Sequence, residues 1–391
     1  MFNQMLNPAL AGKIKILLLT LAAAFILLPN IGKAQDVPTI ELFEEKDYQS
    51  IPGEVNYVGE EKSYPVSIDV VKYNEDIVQE IEANTVEEAK NAIEDGYVTW
   101  IDVNGVHDEE LIEEFGAAFG LSASVQEDIA NTTKLPHMED DIDYIFISLK
   151  MLEEDSDIDS VDLEQISMVL GNNYVISFQQ NNDNDFNLIN NRLNQKKGNL
   201  PKFGSDYLAF VLTDVVVDSY FPAIDIINEQ INVIEKELLD SPNESLLQDI
   251  YTIKRELTIG REVMIPMREV IHNLANYNYP QISPEVKDYF HITYENIEYL
   301  TNIIETFNNI ATDMVNYYIS IYGYETNGIL KFLTIFSTIL FIISFVAAIY
   351  GMNLSQFHKK DGKKTGHVII AVVMIALTIA VICYFFVIGW L

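Results

Sequence analysis

Two apolar runs near the C-terminal end, joined by a short charged loop, constrain this chain more than any other feature. The run from Gly328 to Tyr350 carries one charge, Lys331, near its start. As a helix it reaches about 34 Å, enough to cross the hydrocarbon core of a bilayer. The run from His367 to Leu391 is of similar length and holds Trp390, a residue type favoured at the membrane interface. Only residues 351–366 separate them, so the two spans are expected to form a hairpin.

A third apolar segment lies at residues 13–35. Its core, 14–28, is short for a span, with Lys13 and Lys15 before it and Gly32-Lys33-Ala34 after it. That is the pattern of a secretory signal peptide. The chain as a whole is acidic: 59 Asp and Glu against 24 Lys and Arg give a net charge of −35. Such a surface disfavours nucleic acid and suits cations. The single cysteine, Cys383, sits inside an apolar run, which rules out a disulfide framework within one chain and disfavours a thiolate metal site. There is no phosphate-binding glycine loop, zinc-protease motif or nucleophile elbow, so the chain is not expected to be an enzyme or to draw on ATP.

The periodicities divide the chain further. After the signal-like segment 1–35, residues 36–62 are rich in Pro and Glu and read as a linker. Residues 63–205 read as an α/β domain. Strands are expected at VSIDVVKY, YVTWIDV, YIFISLKML, EQISMVL and YVISF, the last two joined by Gly171-Asn172-Asn173, a hairpin signal. Helices are expected at TVEEAKNAIED, with Thr85 and Glu88 placed for a capping box, and at DEELIEEFGAAFG and ASVQEDIAN. Residues 206–282 carry Ile224, Ile231, Ile234 and Leu238, then Leu246, Ile250, Ile253 and Leu257, at three-four spacing on either side of Ser241-Pro242-Asn243. That pattern predicts an antiparallel helical hairpin. Ser283-Pro284-Glu285 opens a stalk over 283–350 whose apolar seam has no proline before the membrane. Unbroken from Glu285 to Tyr350, it is about 98 Å long, and it wants partners for its stripe.

Leu330, Thr334, Ser337, Phe341, Ser344 and Ala348 share one face of the first span, and most are small or hydroxylic. Such a stripe serves close packing or lines water. In a parallel bundle of identical stalks it becomes a set of rings without carboxylates, suited to a cation that keeps its water. The span then exits through Gly351, Met352 and Asn353, where apolar spans usually end in aromatic or basic anchors. An Asn353 collar is one reading, a neutral hydrogen-bonding mouth for a hydrated ion; a simple helix C-cap is the other.

Tyr350-Gly351-Met352-Asn353 at the end of a first span, followed by a second, closely resembles the CorA family of divalent-cation channels. WIDVNGVHDEEL (100–111), VQEDIAN (125–131), YIFISLKML (144–152), MREVI (267–271) and TNGILKFLTIF (326–336) resemble that family as well, so the likeness runs from about Pro52 to the end. The resemblance implies a funnel-shaped homopentamer in the cell membrane, with a cytoplasmic α/β domain, long stalks and two C-terminal transmembrane helices, in contact with lipid and needing no separate energy-coupling subunit. It implies passive, potential-driven uptake of Mg²⁺, with Co²⁺ or Ni²⁺ also carried. Ion selection falls to Gly351, Met352 and Asn353 in the loop 351–366, before the second span at 367–391. The pore lining falls to Asn327, Leu330, Leu333, Thr334, Ser337, Phe341, Ser344 and Ala348. Regulatory metal binding between subunits falls to Asp128 and Glu127, opposite a stalk position occupied here by Ile292, with Glu295 nearby. Taken alone, Asp128 reads as an exposed helix acid, and Glu139, Asp140, Asp141 and Asp143 as a solvated turn.

Three features depart from the family pattern. Ile292 replaces a sensing carboxylate. The loop reads LSQFHKKDGKKTGH, with four lysines where the family often carries acids. The C-terminus lacks the usual lysine cluster. By the positive-inside rule the loop belongs in the cytosol, and a signal peptide would export the soluble domain. The reading adopted keeps the α/β domain cytoplasmic, because the resemblance covers it as well as the spans. Residues 1–35 are then an extra membrane-associated helix or the product of a start-site error. Two alternatives are a ZntB-like Zn²⁺ transporter and a non-conducting membrane-anchored scaffold with an exported acidic domain.

Overall fold

Strand-like alternation in the N-terminal half resolves into one seven-stranded sheet. The computed structural model describes residues 54–152, 163–182, 186–196, 198–351 and 365–390. The first part runs β1 (Ser67–Tyr73), β2 (Val78–Ala83), α1 (Val86–Asn91), β3 (Val98–Asn104), α2 (Glu109–Phe119), α3 (Ala123–Ala130), β4 (His137–Asp140), β5 (Ile145–Leu152), β6 (Leu163–Leu170), β7 (Tyr174–Gln179) and α4 (Asn187–Asn194). The sheet order is β2-β1-β3-β7-β6-β5-β4. Every neighbouring pair is antiparallel except β3 with β7 at the centre, where Ile101 lies opposite Ile176.

The period of two sorts the strand side chains into two cores. On β3, Ile101 and Val103 face Phe115 of α2 and Val125 and Ile129 of α3, while Val98 and Trp100 face the helical half. On β5, Phe146 joins the first core and Ile145, Ile147 and Leu149 the second. The charged edge strands β2 (VQEIEA) and β4 (HMED) escape the sequence reading, because acidic residues at a sheet edge blur the alternation that marks a strand. Glu139 and Asp140, read as a solvated turn, belong to β4 and pair with Phe146 and Ile145 of β5. The capping box of α1 forms one position off register: Thr85 Oγ1 accepts from Glu88 N at 3.2 Å, but Glu88 Oε2 accepts from Asn84 N rather than from Thr85. The segment around residue 58 is tied down: Val58 N donates to Ala130 O at 3.0 Å and Val58 O accepts from Thr132 N at 2.9 Å, which fixes the chain just beyond α3.

The helical half comprises α5 (Ser205–Asp218), α6 (Tyr220–Asp240), α7 (Glu244–Asn276), α8 (Pro284–Gly351) and α9 (Thr365–Val387). The break at Ser219 is not announced by apolar spacing. Its cause is Pro222, which has no N–H for the helical ladder and is tolerated only in the first turn of α6. Ser219 Oγ caps the break, donating to Val216 O at 2.8 Å and accepting from Leu152 N at 3.1 Å, so the interruption is stitched to β5. Asn243 caps α7 through its Oδ1, which accepts from Leu246 N at 3.1 Å.

One helix, α8, then runs 68 residues without interruption, a length of about 100 Å. Ser283 Oγ accepts from Val286 N at 3.3 Å, and Asp206 Oδ2 accepts from Ser283 N at 2.9 Å, which pins the start of α8 to α5. Farther along, Thr293 Oγ1 donates to Asp214 Oδ1 at 2.7 Å. Phe290, Ile297, Leu300, Ile304 and Ala311 are buried along one seam in the same core as Ile250, Ile253 and Leu257 of α7. A Cβ at Gly260 would meet Ile304 at 3.5 Å, ordinary van der Waals contact. From Tyr322 to Thr334 every residue of α8 is exposed in the single chain.

Leu300 is fully buried in the α7–α8 seam. Leu300→Ala should cost about 2–5 kcal/mol, measured by denaturant unfolding of the full chain; a cost within the noise would mean that the seam collapses around the cavity.

Candidate cation path and metal centre

The apolar end of α8 divides into two faces. Ile335, Thr338, Ile339, Ile342, Ile343 and Val346 are partly covered, whereas Leu330, Leu333, Thr334, Ser337, Phe341, Ser344 and Ala348 are exposed, as is Asn327. The covering element is α9, which packs against α8. On α9, Met374, Thr378, Val381 and Phe385 recur at four, three and four, and these are its less exposed positions. Lys331 Nζ lies 6.0 Å from the Trp390 ring centroid, tying the start of the apolar part of α8 to the end of α9. α9 thus takes the branched aliphatic face and leaves the small and hydroxylic stripe exposed in the single chain, together with Phe332, Phe336, Leu340 and Phe345.

Thr334 is more specialised than its exposure implies. Its Oγ1 donates to Leu330 O at 2.7 Å, and Thr338 Oγ1 likewise donates to Thr334 O. The Thr334 hydroxyl proton is therefore committed to the helix, and its remaining lone pairs point outward as acceptors, the polarity a cation or its water shell requires. Gly351 is the last residue of α8. Met352, Asn353 and the lysine-bearing loop lie outside the described residues. Among those residues, α8 alone meets the length and apolarity needed to cross a membrane; α9 carries a shorter apolar stretch, Ala371–Val387.

The second site is built at the end of α3. Ser122 caps this helix, its Oγ accepting from Val125 N at 3.1 Å, and fully buried Val125 and Ile129 anchor it on the sheet. That anchoring draws Asp128 inward until only 3% of it is exposed. Its reading as an exposed helix acid is therefore corrected: the apolar neighbour fixes the helix rotation, and the carboxylate follows. A carboxylate at a helix C-terminus faces the negative end of the dipole and needs cationic partners. They come from the segment beyond the helix. Lys134 Nζ donates to Asp128 Oδ1 and, at 3.2 Å, to Glu127 Oε1. Pro136 follows, and His137 Nε2 lies 2.6 Å from Asp128 Oδ2. The other ring nitrogen, Nδ1, is 2.9 Å from Leu135 O. Glu139 comes alongside on β4, its Oε1 accepting from Ser124 Oγ at 2.9 Å.

Asp128, His137 and Glu139 each offer a metal-ligating atom, and these atoms lie within 4.8 Å of one another. Glu295, by contrast, is exposed on α8, and Ile292 is 54% exposed there. Lys134, His137 and Glu139 were not singled out from sequence as partners of Asp128. The available signal was the Lys134-Leu135-Pro136-His137 string, which begins four residues beyond the end of α3 and returns the chain to the helix just left. Electrostatics follow from the geometry. Burial pushes the Asp128 carboxyl up, but hydrogen bonds from His137 and Lys134 outweigh it and hold the group below its ordinary value. Burial pushes His137 down, and the bonds to Asp128 and Leu135 outweigh that and hold it above its ordinary value.

Comparisons with known proteins agree with this architecture. A family profile described as CorA-like Mg²⁺ transporter protein matches residues 95–386. The cobalt/magnesium transport protein CorA of Thermotoga maritima is 31% identical over 334 residues, covering 85% of this chain and 95% of that protein. Among solved structures, the complete CorA magnesium transporter of Methanocaldococcus jannaschii matches with a TM-score of 0.67 at 19% identity, over 84% of this chain and all of that one. The ZntB cytoplasmic domain of Vibrio parahaemolyticus shares the fold over 66% of this chain and 99% of its own, with a TM-score of 0.54 at 13% identity.

The Asp128–His137 pair sets a pH window in metal-free protein. Asp128 is depressed from 3.8, so its contribution is present above pH 3.8 and is lost as pH falls through the folded value. His137 is raised from 6.5, so its contribution is full below pH 6.5 and is lost as pH rises through the folded value. In chelator-treated samples, the thermal midpoint of wild type should exceed that of His137→Gln between these limits and converge on it only as pH rises past the folded value of His137, above 6.5. A gap independent of pH would rule out a titrating pair.

Proposed function

The chain belongs to the family of CorA-like Mg²⁺ transporters, and from that premise we propose that it is a membrane channel for passive, potential-driven Mg²⁺ uptake. The observation that carries this reading is the division of α8. α9 takes the aliphatic face, and the stripe from Leu330 to Ala348 is exposed in the single chain. In a parallel homopentamer that stripe becomes the pore wall, with Asn327, Leu330 and Leu333 at its narrow inner end. Its surface offers methyl groups, hydroxyl acceptors and no charge, so a divalent ion passes with much of its water in place. Gly351, Met352 and Asn353 follow at the mouth, where an amide oxygen collar hydrogen-bonds the hydrated ion without trapping it.

The driving force is electrical. A divalent ion moving inward gains about 4.6 kcal/mol per 100 mV of membrane potential, so no ATP-consuming partner is required. α9 forms the second span and surrounds the pore helices, and the α/β domain lies in the cytoplasm. Co²⁺ and Ni²⁺ share the path to the extent that they retain water. Intracellular divalent ions bound near Glu127 and Asp128, with Glu295 contributed across a subunit interface in place of the carboxylate missing at Ile292, favour the closed state.

The four loop lysines and Ile292 favour a second reading, Zn²⁺ transport of the ZntB type. Ion competition separates the two. Protein reconstituted in liposomes with an inside-negative potential should take up Mg²⁺, and Asn353→Ala should abolish that uptake. Unchanged flux in this variant would remove the amide collar from the mechanism, and a proton-coupled Zn²⁺ flux in wild type would establish the second reading. For the pore wall, Ser344→Leu should block uptake while Ile343→Leu, on the face that α9 covers, leaves it near wild type; equal effects would place the stripe outside the water path.

A further inference from the structure

α9 ends in a turn that folds its last aromatic residue back on the helix. Gly389 has a φ of 70°, a left-handed conformation that glycine adopts without strain. Trp390 N donates to Phe385 O at 2.9 Å, and Gly389 N donates to Phe386 O at 3.1 Å. These two bonds are those of a Schellman ending, in which the residue after the glycine packs on the last helical turn. Here the Trp390 ring stacks on Phe385, with centroids 5.7 Å apart and planes inclined by 23°. Phe385 is itself buried. The indole is therefore fixed twice, by the backbone turn and by the stack.

This ring faces Lys331, whose Nζ lies 6.0 Å from its centroid. Residues 326–351 and 365–390 contain no Asp or Glu, and Lys331 is their only Lys or Arg. The electrostatic partner that the two helices supply for this charge is the negative face of the indole. The position of Lys331 on α8 gives the contact its consequence. At 3.6 residues per turn it lies about 60° round the helix from Thr334 and about 100° from Leu330. It stands on the border between the face that carries Thr338 and Ile342, partly covered, and the exposed stripe. Its flexible four-carbon stem can carry the ammonium to either side. Toward α9 the ammonium meets Trp390. Toward the stripe it comes level with Leu330 and Thr334, at the inner end of the candidate path. An ammonium there repels a divalent cation, and the repulsion grows where the wall is of low dielectric.

We propose that Trp390 is a positioning residue for cation conduction: its ring holds the Lys331 ammonium on the α9 side of α8 and keeps that charge off the inner end of the pore. This role rests on the channel reading given above. In a bundle of identical stalks the same contact repeats in every subunit, so its loss places a ring of positive charges at the narrow end of the path. Gly389 belongs to the device, because its left-handed turn is what returns the indole to Phe385 and Lys331.

The test measures Mg²⁺ uptake by the full chain in liposomes with an inside-negative potential. Trp390→Phe, which keeps a ring face, should carry Mg²⁺ at close to the wild-type rate. Trp390→Leu keeps an apolar contact for Phe385 but no ring face, and it should lower the rate by about tenfold or more. Adding Lys331→Gln to Trp390→Leu should restore uptake, and Lys331→Gln alone should leave it unchanged. Gly389→Val leaves the ring intact and disfavours the left-handed turn. It should show the same loss and the same relief by Lys331→Gln, which keeps the test decisive if Trp390→Leu does not assemble. Relief by removal of a charge is not expected of a tryptophan that only packs or anchors. Losses in Trp390→Leu and Gly389→Val that Lys331→Gln does not relieve would therefore overturn the proposal, as would an equal loss in Trp390→Phe. An inactive wild type would remove the channel reading and this role with it. An active wild type matched by an equally active Trp390→Leu would remove the role of Trp390 alone.

Discussion

Phe290, Ile297, Leu300 and Ile304 lie along one face of α8, and their burial in a common core with α7 governs much of the rest. A helix of about 100 Å cannot find partners for its whole length in one subunit. The lower part is held by α7, by the Thr293–Asp214 bond to α5 and by the Ser283–Asp206 bond at its start. These contacts fix the rotation of α8 about its own axis. Because the helix is uninterrupted, that rotation is inherited by the apolar end, where it decides which residues α9 covers and which remain open. The seam that joins α7 to α8 therefore orients Thr334, Ser337 and Ser344.

Electrostatics follow the same logic of position before chemistry. The chain carries a large excess of acid, yet Asp128 is matched within its own subunit by Lys134 and His137. The cause is apolar: Ile129 and Val125 seat α3 on the sheet, and the carboxylate between them has nowhere to point except toward the segment that returns through Pro136. A local concentration of opposite charges is thereby built into the edge of a domain whose surface is mostly negative. Its partners on β4 and in the returning segment make it responsive to protons.

Much of the architecture is legible from residue spacing. Three-four spacing locates α6, α7 and α8; alternation locates β1, β3, β5, β6 and β7; Ser241-Pro242-Asn243 and Ser283-Pro284 mark helix ends through the physics of capping. The misses have local causes. β2 and β4 are acidic edge strands whose residues are mostly exposed or half-buried, so their apolar signal is weak. The break at Ser219 depends on Pro222 and on a hydroxyl that reaches β5, a contact between residues 67 positions apart. At the candidate metal centre, Asp128 was identified through resemblance, but its burial and its partners were not.

The sequence by itself determined that this chain has an α/β part, a long helix and an apolar C-terminal pair, because periodicity and length are local properties of the chain. It also determined which residues share the small, hydroxylic face of α8, since 3.6 residues per turn leave no freedom in that assignment. Tertiary structure decided which face α9 would take, and that His137 and Glu139 would meet Asp128. Those outcomes depend on how separate elements dock, through burial of side chains far apart in the chain, and no local pattern encodes the distance between them.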